Sequence, residues 1–252
     1  MAGYDPAMST LSRHRPWRIE PLGDRCLVVE FEQKVDAAVN RQARALAHAL
    51  AVQPPPGMLD VAPAFCSVAV FYRPDAYSPQ PSPFQQLKAR VAALLEAGIG
   101  DDEGPTRAVR IPVCYGGVHG PDLDEVAAAC GMTTDEVIRA HVASDHVVFM
   151  LGFSPGFPYI GGLDPALSVP RRATPRTRIP AGTVAIARDQ TAIYSLETPG
   201  GWNLIGRTPL RLFDPRSDPP CRLQAGDRIQ FVPIVPADFD AEAKASSSWA
   251  GA

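Results

Sequence analysis

The spacing of apolar residues changes several times along the chain, and each change marks a different predicted element. Residues 17–20 and 25–31 (RCLVVEF) predict two strands joined by a turn at 23–24. From Asp36, a candidate helix cap, apolar positions recur on one helical face, at Val39, Ala43, Leu46, Ala47 and Leu50. The run PPPG at 54–57 ends this predicted helix.

The next elements complete a first domain. Residues 58–62 and 67–72 predict two more strands. The run SPFQ at 82–85 predicts the start of a second helix, with a serine cap, a proline in the first turn and a capping-box glutamine. This order of strands and helices is typical of a compact α+β unit, which we assign to residues 16–103.

Two short helices follow a strand predicted at 107–113. Asp122 with Glu125, and Thr133 with Glu136, have the spacing of capping boxes. In a capping box, the cap residue and the third helical residue satisfy each other's backbone donors. The sequence therefore predicts two helices in close succession.

Helical periodicity then disappears from the chain. Short strands separated by turn residues are predicted at 146–150, 183–188, 192–196, 203–205, 210–213 and 228–232. Such a series is typical of a small barrel or sandwich, so we assign residues 104–236 to a second, mainly-β domain. Small barrels commonly bind ligands where their loops converge.

Composition and the chain ends limit the function classes. The net charge of −3 and the pI near 6.0 argue against nucleic acid as the main partner. No apolar run approaches the roughly 20 residues that span a bilayer, which argues against a membrane protein. The five cysteines are scattered without a C-x-x-C pair, which indicates reduced thiols in the cytoplasm. Residues 1–15 are expected to be a disordered leader, and 237–252 a flexible tail.

A run rich in glycine and proline at 152–162 is the first candidate for chemistry. Its four glycines and two prolines cannot continue a helix or a central strand. It therefore predicts a stiff loop that presents Phe153, Phe157 and Tyr159. The loop is either a preformed pocket wall with backbone donors free to meet a ligand, or a structural turn with its aromatics in the core. No G-x-x-x-x-G-K-[ST] phosphate loop occurs in the chain.

The next run is rich in arginine. Four arginines lie within eight residues: Arg171, Arg172, Arg176 and Arg178. In an extended segment Arg172, Arg176 and Arg178 can project to one side and Arg171 to the other. Fixed guanidiniums suit a carboxylate or phosphate ligand or an acidic partner, and a solvated basic loop is the alternative. No Asp or Glu occurs from 169 to 188, so we expect a group outside this run to neutralise the charge of the arginines.

Three more side chains are candidates for the site, and two of them, Trp202 and His141, have two interpretations each. Trp202, after the turn residues Gly200 and Gly201, could stack on a flat ligand or lie in the core. Arg207 would place a cation near it. His141, at the end of an amphipathic helix, is either an acid/base group or a structural histidine.

The chain resembles the family of 5-oxoprolinase B subunits, whose members are also called KipI-like or allophanate hydrolase subunit 1 proteins. The resemblance rests on long motifs in the same order: PVCYGG at 112–117, GFSPGFPYIGGLD at 152–164, PRRATPR at 170–176, PAGTVAIA at 180–187, QTAIYS at 190–195 and PGGWNLIGRTP at 199–209. A weaker match extends to residues 23–24 and 63–74, so the resemblance covers most of the chain.

The resemblance implies an α+β N-terminal domain followed by a mainly-β, cyclophilin-like barrel domain. It implies the B subunit of an ATP-dependent 5-oxoprolinase, which cleaves 5-oxo-L-proline to L-glutamate with two partners: a C-type subunit (KipA-like, or allophanate hydrolase subunit 2) and a LamB/YcsF-type A subunit. ATP would be a co-substrate, and no metal or biotin site is evident in the chain. Two alternatives stay open: a KipI-type inhibitor of a histidine kinase, and a carboxyltransferase or allophanate hydrolase subunit 1 in urea metabolism.

On the main hypothesis, ATP phosphorylates the poorly electrophilic lactam oxygen before water opens the ring, and cations stabilise the developing charge. Candidate catalytic residues are His141, Arg172, Arg176, Gln190 and Arg207. Candidate substrate-binding residues are Phe153, Pro155, Gly156, Phe157, Tyr194, Gly200, Gly201 and Trp202. In this hypothesis the arginines supply the cations, His141 or Gln190 orients water or the amide, and the aromatics form the apolar walls.

Overall fold

The N-terminal half folds as an antiparallel sheet with two helices. The structure is a computed structural model that describes residues 16–99 and 107–245. The elements are β1 (Arg18–Pro21), β2 (Cys26–Glu30), α1 (Ala37–Val52), β3 (Met58–Pro63), β4 (Ser67–Tyr72) and α2 (Pro83–Ala97). The strands lie in the order β1-β2-β4-β3, and apolar residues of the sheet and of both helices share one core. The predicted α+β unit is confirmed.

Three expectations concern residues that lie outside the described ranges. They are the disordered leader at 1–15, the domain boundary between residues 103 and 104, and the last part of the flexible tail at 246–252. The preceding part of that tail is helical: residues Phe239–Ala245 form α5, and the Phe239 ring stacks on His119 with centroids 4.6 Å apart. Residues 239–245 are therefore helical, and Phe239 has an aromatic partner on the second domain.

The second half is a closed barrel with helices packed on it. Its strands are β5 (Ala108–Tyr115), β6 (His146–Leu151), β7 (Pro158–Gly161), β8 (Arg176–Ile179), β9 (Thr183–Ala187), β10 (Gln190–Ile193), β11 (Thr198–Gly200), β12 (Asn203–Arg207) and β13 (Arg228–Pro233). Its helices are α3 (Leu123–Cys130) and α4 (Thr134–Ala143). The barrel order is β10-β7-β6-β13-β5-β12-β9, closed by pairing of β9 with β10, and β8 with β11 forms a separate ribbon. The predicted mainly-β barrel is confirmed.

Alternation along the barrel strands builds two apolar layers. Inward residues such as Val184 and Ile186 fill the barrel, whereas outward residues such as Ala185 belong to a second cluster. Large aromatics and small alanines share that outer cluster, whose members are Phe157, Ile179, Ala185, Ala187, Ala192, Tyr194, Trp202 and Leu204, with Tyr159 packed against them. The strands of this part of the barrel are therefore apolar on both faces.

Three local predictions for the second domain are wrong. Residues 210–213 are not a strand, although Leu210 and Leu212 are buried in the barrel core. Residues 158–161 do form a strand, β7, between β6 and β10; Pro158 is its first residue, where a missing N–H is tolerated. Asp122 does not cap α3 through its side chain, whereas the capping box of Thr133 with Glu136 is confirmed.

Aromatic and hydrogen-bond contacts join the two halves. The Phe65 ring, in the turn between β3 and β4, packs edge-on against Phe149 and Tyr159 of the barrel, with centroids 6.5 and 5.3 Å away. Asn40 of α1 is fully buried, and its Nδ2 donates to the carbonyl oxygens of Ala64 (3.0 Å) and Phe149 (3.2 Å). One amide group therefore binds both domains.

Asn40→Ala is expected to lower the free energy of unfolding by about 2 kcal/mol, because buried carbonyl groups on both sides of the interface lose their donor. Urea denaturation of the full chain measures the change. Gln42→Ala, on an exposed position of the same helix, is the matched control and should stay within about 0.5 kcal/mol of wild type. Equal stability of the two variants would contradict the bridging role.

No helix within the described ranges is both long and apolar enough to span a membrane.

Candidate functional site

Asp122 is the centre of a buried ion-pair network. Its side chain is 2% exposed, and its Oδ2 accepts the backbone N–H of Leu204 at 2.7 Å. Arg176 donates to both carboxylate oxygens, at 2.9 and 2.6 Å, and Arg172 Nη1 donates to Oδ1 at 3.0 Å. The start of α3, strand β12 and the arginine-rich run thus meet at one carboxylate.

This network neutralises part of the positive charge of the arginine-rich run. The sequence predicts that this charge is neutralised by a group outside the run, and Asp122 is such a group, with Glu125 accepting from Arg172 at 2.8 Å. Arg172 and Arg176 point to the same partner, as extended geometry allows. Arg178 does not join them, because its Nε contacts Glu197 at 2.7 Å.

Two hydrogen bonds hold the arginine-rich run against β12 and the residues just before it. The Arg172 N–H donates to the carbonyl of Gly201 at 2.8 Å, and Asn203 Nδ2 donates to the carbonyl of Pro170 at 2.8 Å. Gly200 packs on the hydroxyl of Tyr194, where any Cβ would collide with that oxygen. Gly200, the last residue of β11, therefore serves close packing beside the network.

A cavity of about 400 Å³ opens between α3 and the loop at 169–174. Glu125 and the guanidinium-bearing residues Arg171 and Arg172 line it, together with Asn203. The Arg171 guanidinium lies 5.6 Å from the centre of the Trp202 ring, which is a cation–π distance. The cavity thus has a cationic rim beside a buried indole.

The ion pair at the cavity mouth is partly exposed. The Arg172 side chain is 29% exposed and the Glu125 side chain 68%. The hydrogen bond to Glu125, with the charge of Asp122, raises the pKa of Arg172 above its ordinary value, so this residue stays cationic. An exposed pair of this kind contributes only about 0–1 kcal/mol, so Glu125 is a replaceable partner.

His141 lies inside the barrel, away from this cavity. Its Nδ1 is 2.9 Å from the hydroxyl of Tyr115, and its Nε2 is 3.2 Å from Thr191 Oγ1. Desolvation, with the nearby His146 ring, lowers the pKa of His141 well below its ordinary value. These contacts favour a structural role for His141 over a role as an acid/base group.

Two other predicted catalytic residues are also outside the cavity. Gln190 is the first residue of β10 and is partly exposed. Arg207 Nε donates to the carbonyl of Ala181 at 2.9 Å, and its guanidinium lies 5.8 Å from the Phe239 ring. The structure therefore brings together Arg172 and Arg176 of the five predicted catalytic residues.

The predicted aromatic walls form a packed layer rather than the lining of the cavity. Phe157, Tyr194 and Trp202 are buried in the outer apolar cluster, and burial raises the pKa of Tyr194. Phe153 is the exception: it is 63% exposed with a positive φ of 65°.

The loop at 152–157 uses its own backbone donors. The N–H groups of Gly152, Ser154 and Phe157 donate to carbonyls within the loop. Pro155 accepts a hydrogen bond from Ser195 Oγ at 2.7 Å, and Gly156 packs on residues 212–213. The expectation of donors free to meet a ligand is therefore wrong for those three amides.

The sequence interpretation missed Asp122, Glu125 and Asn203 as site residues. The two acids have capping-box spacing, so the sequence predicts local contacts at a helix start and gives no indication of their contacts with the distant arginines. The absence of acids from 169 to 188 was the one available signal, and it does not specify a partner. No cluster of His, Cys, Asp or Glu suited to a metal ion occurs among residues 16–99 and 107–245.

The chain matches a family of known domains and several curated proteins. The model for the carboxyltransferase domain, subdomain C and D, matches residues 17–223. The 5-oxoprolinase B subunit of Bacillus subtilis (strain 168) is 45% identical over 232 residues, which cover 89% of this chain and 96% of that protein. The protein of the same name from Escherichia coli O157:H7 is 40% identical over 212 residues, 84% of this chain and 94% of that one.

Solved structures share the fold. The crystal structure of TTHA0988 has a TM-score of 0.71 at 38% identity, over 83% of this chain and 40% of that chain, so this chain spans less than half of its length. The uncharacterized protein PH0987 from Pyrococcus horikoshii has a TM-score of 0.52 at 37% identity, over 88% of this chain and 100% of that chain. The Kluyveromyces lactis urea carboxylase, at 19% identity and a TM-score of 0.69 over 91% of this chain and 23% of that one, shares the fold alone.

Proposed function

The chain belongs to the family of 5-oxoprolinase B subunits, and from this premise we propose that it is the B subunit of an ATP-dependent 5-oxoprolinase. The complex would open 5-oxo-L-proline to L-glutamate with subunits of the C and A types. The observation that carries the proposal is sequence identity to curated B subunits over nearly their full length.

The chemistry places two demands on the complex. A lactam is a poor electrophile, so ATP would phosphorylate its oxygen before water attacks the carbon, and negative charge would develop at that oxygen. The substrate must also be held by its own carboxylate. Fixed cations meet both demands, and the cavity lined by Arg171 and Arg172 is where this chain offers them.

The contacts of the candidate arginines support a different role for each. Arg176 is bound on both of its terminal nitrogens by Asp122, so it acts as a positioning residue. Arg172 is held by Asp122 from one side and reaches the cavity on the other. His141, enclosed by the barrel, would stabilise the fold rather than orient water.

Reconstitution with the C-type and A-type subunits tests the proposal. The complete mixture is expected to form glutamate from 5-oxoproline only when ATP is present, and omission of this chain should abolish the product. Assembly of the three proteins is followed separately by size-exclusion chromatography. An assembled complex that consumes no 5-oxoproline would overturn the proposed function.

A further inference from the structure

We propose that the cavity between α3 and the loop at 169–174 is a carboxylate-binding subsite, in which Arg171 and Arg172 bind the carboxylate of a small lactam and Asn203 accepts its ring N–H. The identity of the lactam as 5-oxoproline rests on the proposed function. The carboxylate specificity follows from the charges and contacts of the cavity.

The charged groups around the cavity do not balance. Arg176 neutralises Asp122 through two hydrogen bonds, and the Leu204 N–H takes a further position on the same carboxylate. The two cavity arginines then face a single further acid, Glu125. Arg171 has no carboxylate within ion-pair distance among the described residues. The cavity therefore has a net positive charge that an anionic ligand would neutralise.

Both guanidiniums are held in place, but not all of their N–H donors are used. Trp202 lies beneath Arg171, and Asp122 anchors Arg172 through Nη1. Glu125 contacts the same Nη1 atom, so Nε and Nη2 of Arg172 have no hydrogen-bond partner in the described part of the chain. A ligand carboxylate could bind these two donors in the bidentate geometry that guanidinium favours.

Asn203 lines the cavity and is 9% exposed. Its Nδ2 donates to the carbonyls of Pro170 and Ile186, at 2.8 and 3.3 Å, which sets the orientation of the amide. No donor among the described residues bonds to its Oδ1. This oxygen can therefore accept an N–H, and in 5-oxoproline the lactam N–H is one carbon away from the carboxylate. The cavity volume lies within the range of about 300–1,000 Å³ common for small-molecule sites.

Kinetics of the reconstituted complex test the inference. Arg171→Gln is expected to raise the KM for 5-oxoproline about tenfold with little change in kcat, because a carboxylate contact made in both ground and transition states contributes to binding. Arg178→Gln removes a guanidinium of the same run that is 76% exposed, outside the cavity and paired with Glu197, and should leave KM unchanged. Glu125→Gln removes the competing carboxylate and should lower KM. Unchanged KM in Arg171→Gln, with glutamate still formed, would overturn the inference and leave the proposed function intact.

Binding to the full-length chain separates the two proposals. Titration with 5-oxoproline and with 2-pyrrolidinone, the same lactam without the carboxylate, is followed by NMR chemical shifts or calorimetry. Wild type is expected to prefer 5-oxoproline at least tenfold, and Arg171→Gln to lose that preference. If no complex forms glutamate but this preference is present and lost in the variant, the proposed function fails and the carboxylate subsite stands. Equal binding of the two lactams by wild type would overturn the subsite.

Discussion

Asp122→Ala is expected to lower the free energy of unfolding by about 3 kcal/mol, the largest effect of any single carboxylate in the network. The change leaves Arg172 and Arg176 without their shared counter-ion and the Leu204 N–H without its acceptor. Breaking a buried pair by removing one partner typically costs about 3–5 kcal/mol, and the partial exposure of these arginines places the loss at the lower end. Urea denaturation at pH 7 measures it.

Glu197→Ala is the matched control for this prediction. It removes a carboxylate that also pairs with an arginine of the run, Arg178, but both side chains are largely exposed, at 47% and 76%. Exposed pairs contribute about 0–1 kcal/mol, so its stability should be close to that of wild type. Asp122→Asn, which retains an acceptor for Leu204, separates the loss of charge from the loss of the backbone hydrogen bond. A loss below about 1 kcal/mol in Asp122→Ala would show that the network does not stabilise the barrel.

The second large effect is a loss of stability in acid from two buried histidines. Burial lowers the pKa of His146 to about 4, and that of His141 also lies well below its ordinary value. Below about pH 6.5 the unfolded chain binds protons that the folded chain does not, so stability is complete above that pH and falls as the pH decreases towards 4. For His146 alone the loss by pH 4 is about 3 kcal/mol, and His141 adds a loss of the same sign.

Urea unfolding at a series of pH values between 7 and 4 measures this loss. His146→Gln is expected to be less stable than wild type at pH 7 but to have a flatter dependence on pH, because one titrating group is gone. Tyr115→Phe removes the hydroxyl bound to His141 and no group that titrates in this range, so it should lower stability while keeping the acid slope. An unchanged slope in His146→Gln would contradict the assignment.

Local chemistry made much of the first domain predictable. The capping box of Ser82 with Gln85 lies within one helical turn, and the structure has both of its hydrogen bonds. Asp36 caps α1 through the N–H groups of Ala38 and Val39. These contacts join residues two or three positions apart, so no distant group is needed to form them.

The same pattern failed where distant groups competed for the side chain. Asp122 has the spacing of a cap, yet its carboxylate binds Leu204 and Arg176, 82 and 54 positions along the chain. A charged, bidentate donor binds a carboxylate more strongly than the backbone N–H groups of a helix start. No periodicity in the sequence encodes that competition.

Strand assignment failed for a related reason. Residues 158–161 begin with a proline and end with Gly161, which Gly162 follows. They nevertheless pair with β6 on one side and with β10 on the other. Residues 210–213 alternate as a strand should, but they find only an isolated bridge between Phe213 and Cys221. A segment forms a strand only where a neighbouring strand supplies its hydrogen bonds. In this domain, the closure of the barrel determines which strands are neighbours.

The amino-acid order alone was enough for an α+β unit followed by a barrel, for the helix caps at Asp36, Ser82 and Thr133, and for the family, because these depend on short-range patterns and long motifs. The cavity and its charge depended on the folded chain. Only there do α3, β12 and the arginine-rich run meet, so that one buried carboxylate neutralises Arg176, anchors Arg172 and leaves Arg171 to face the cavity.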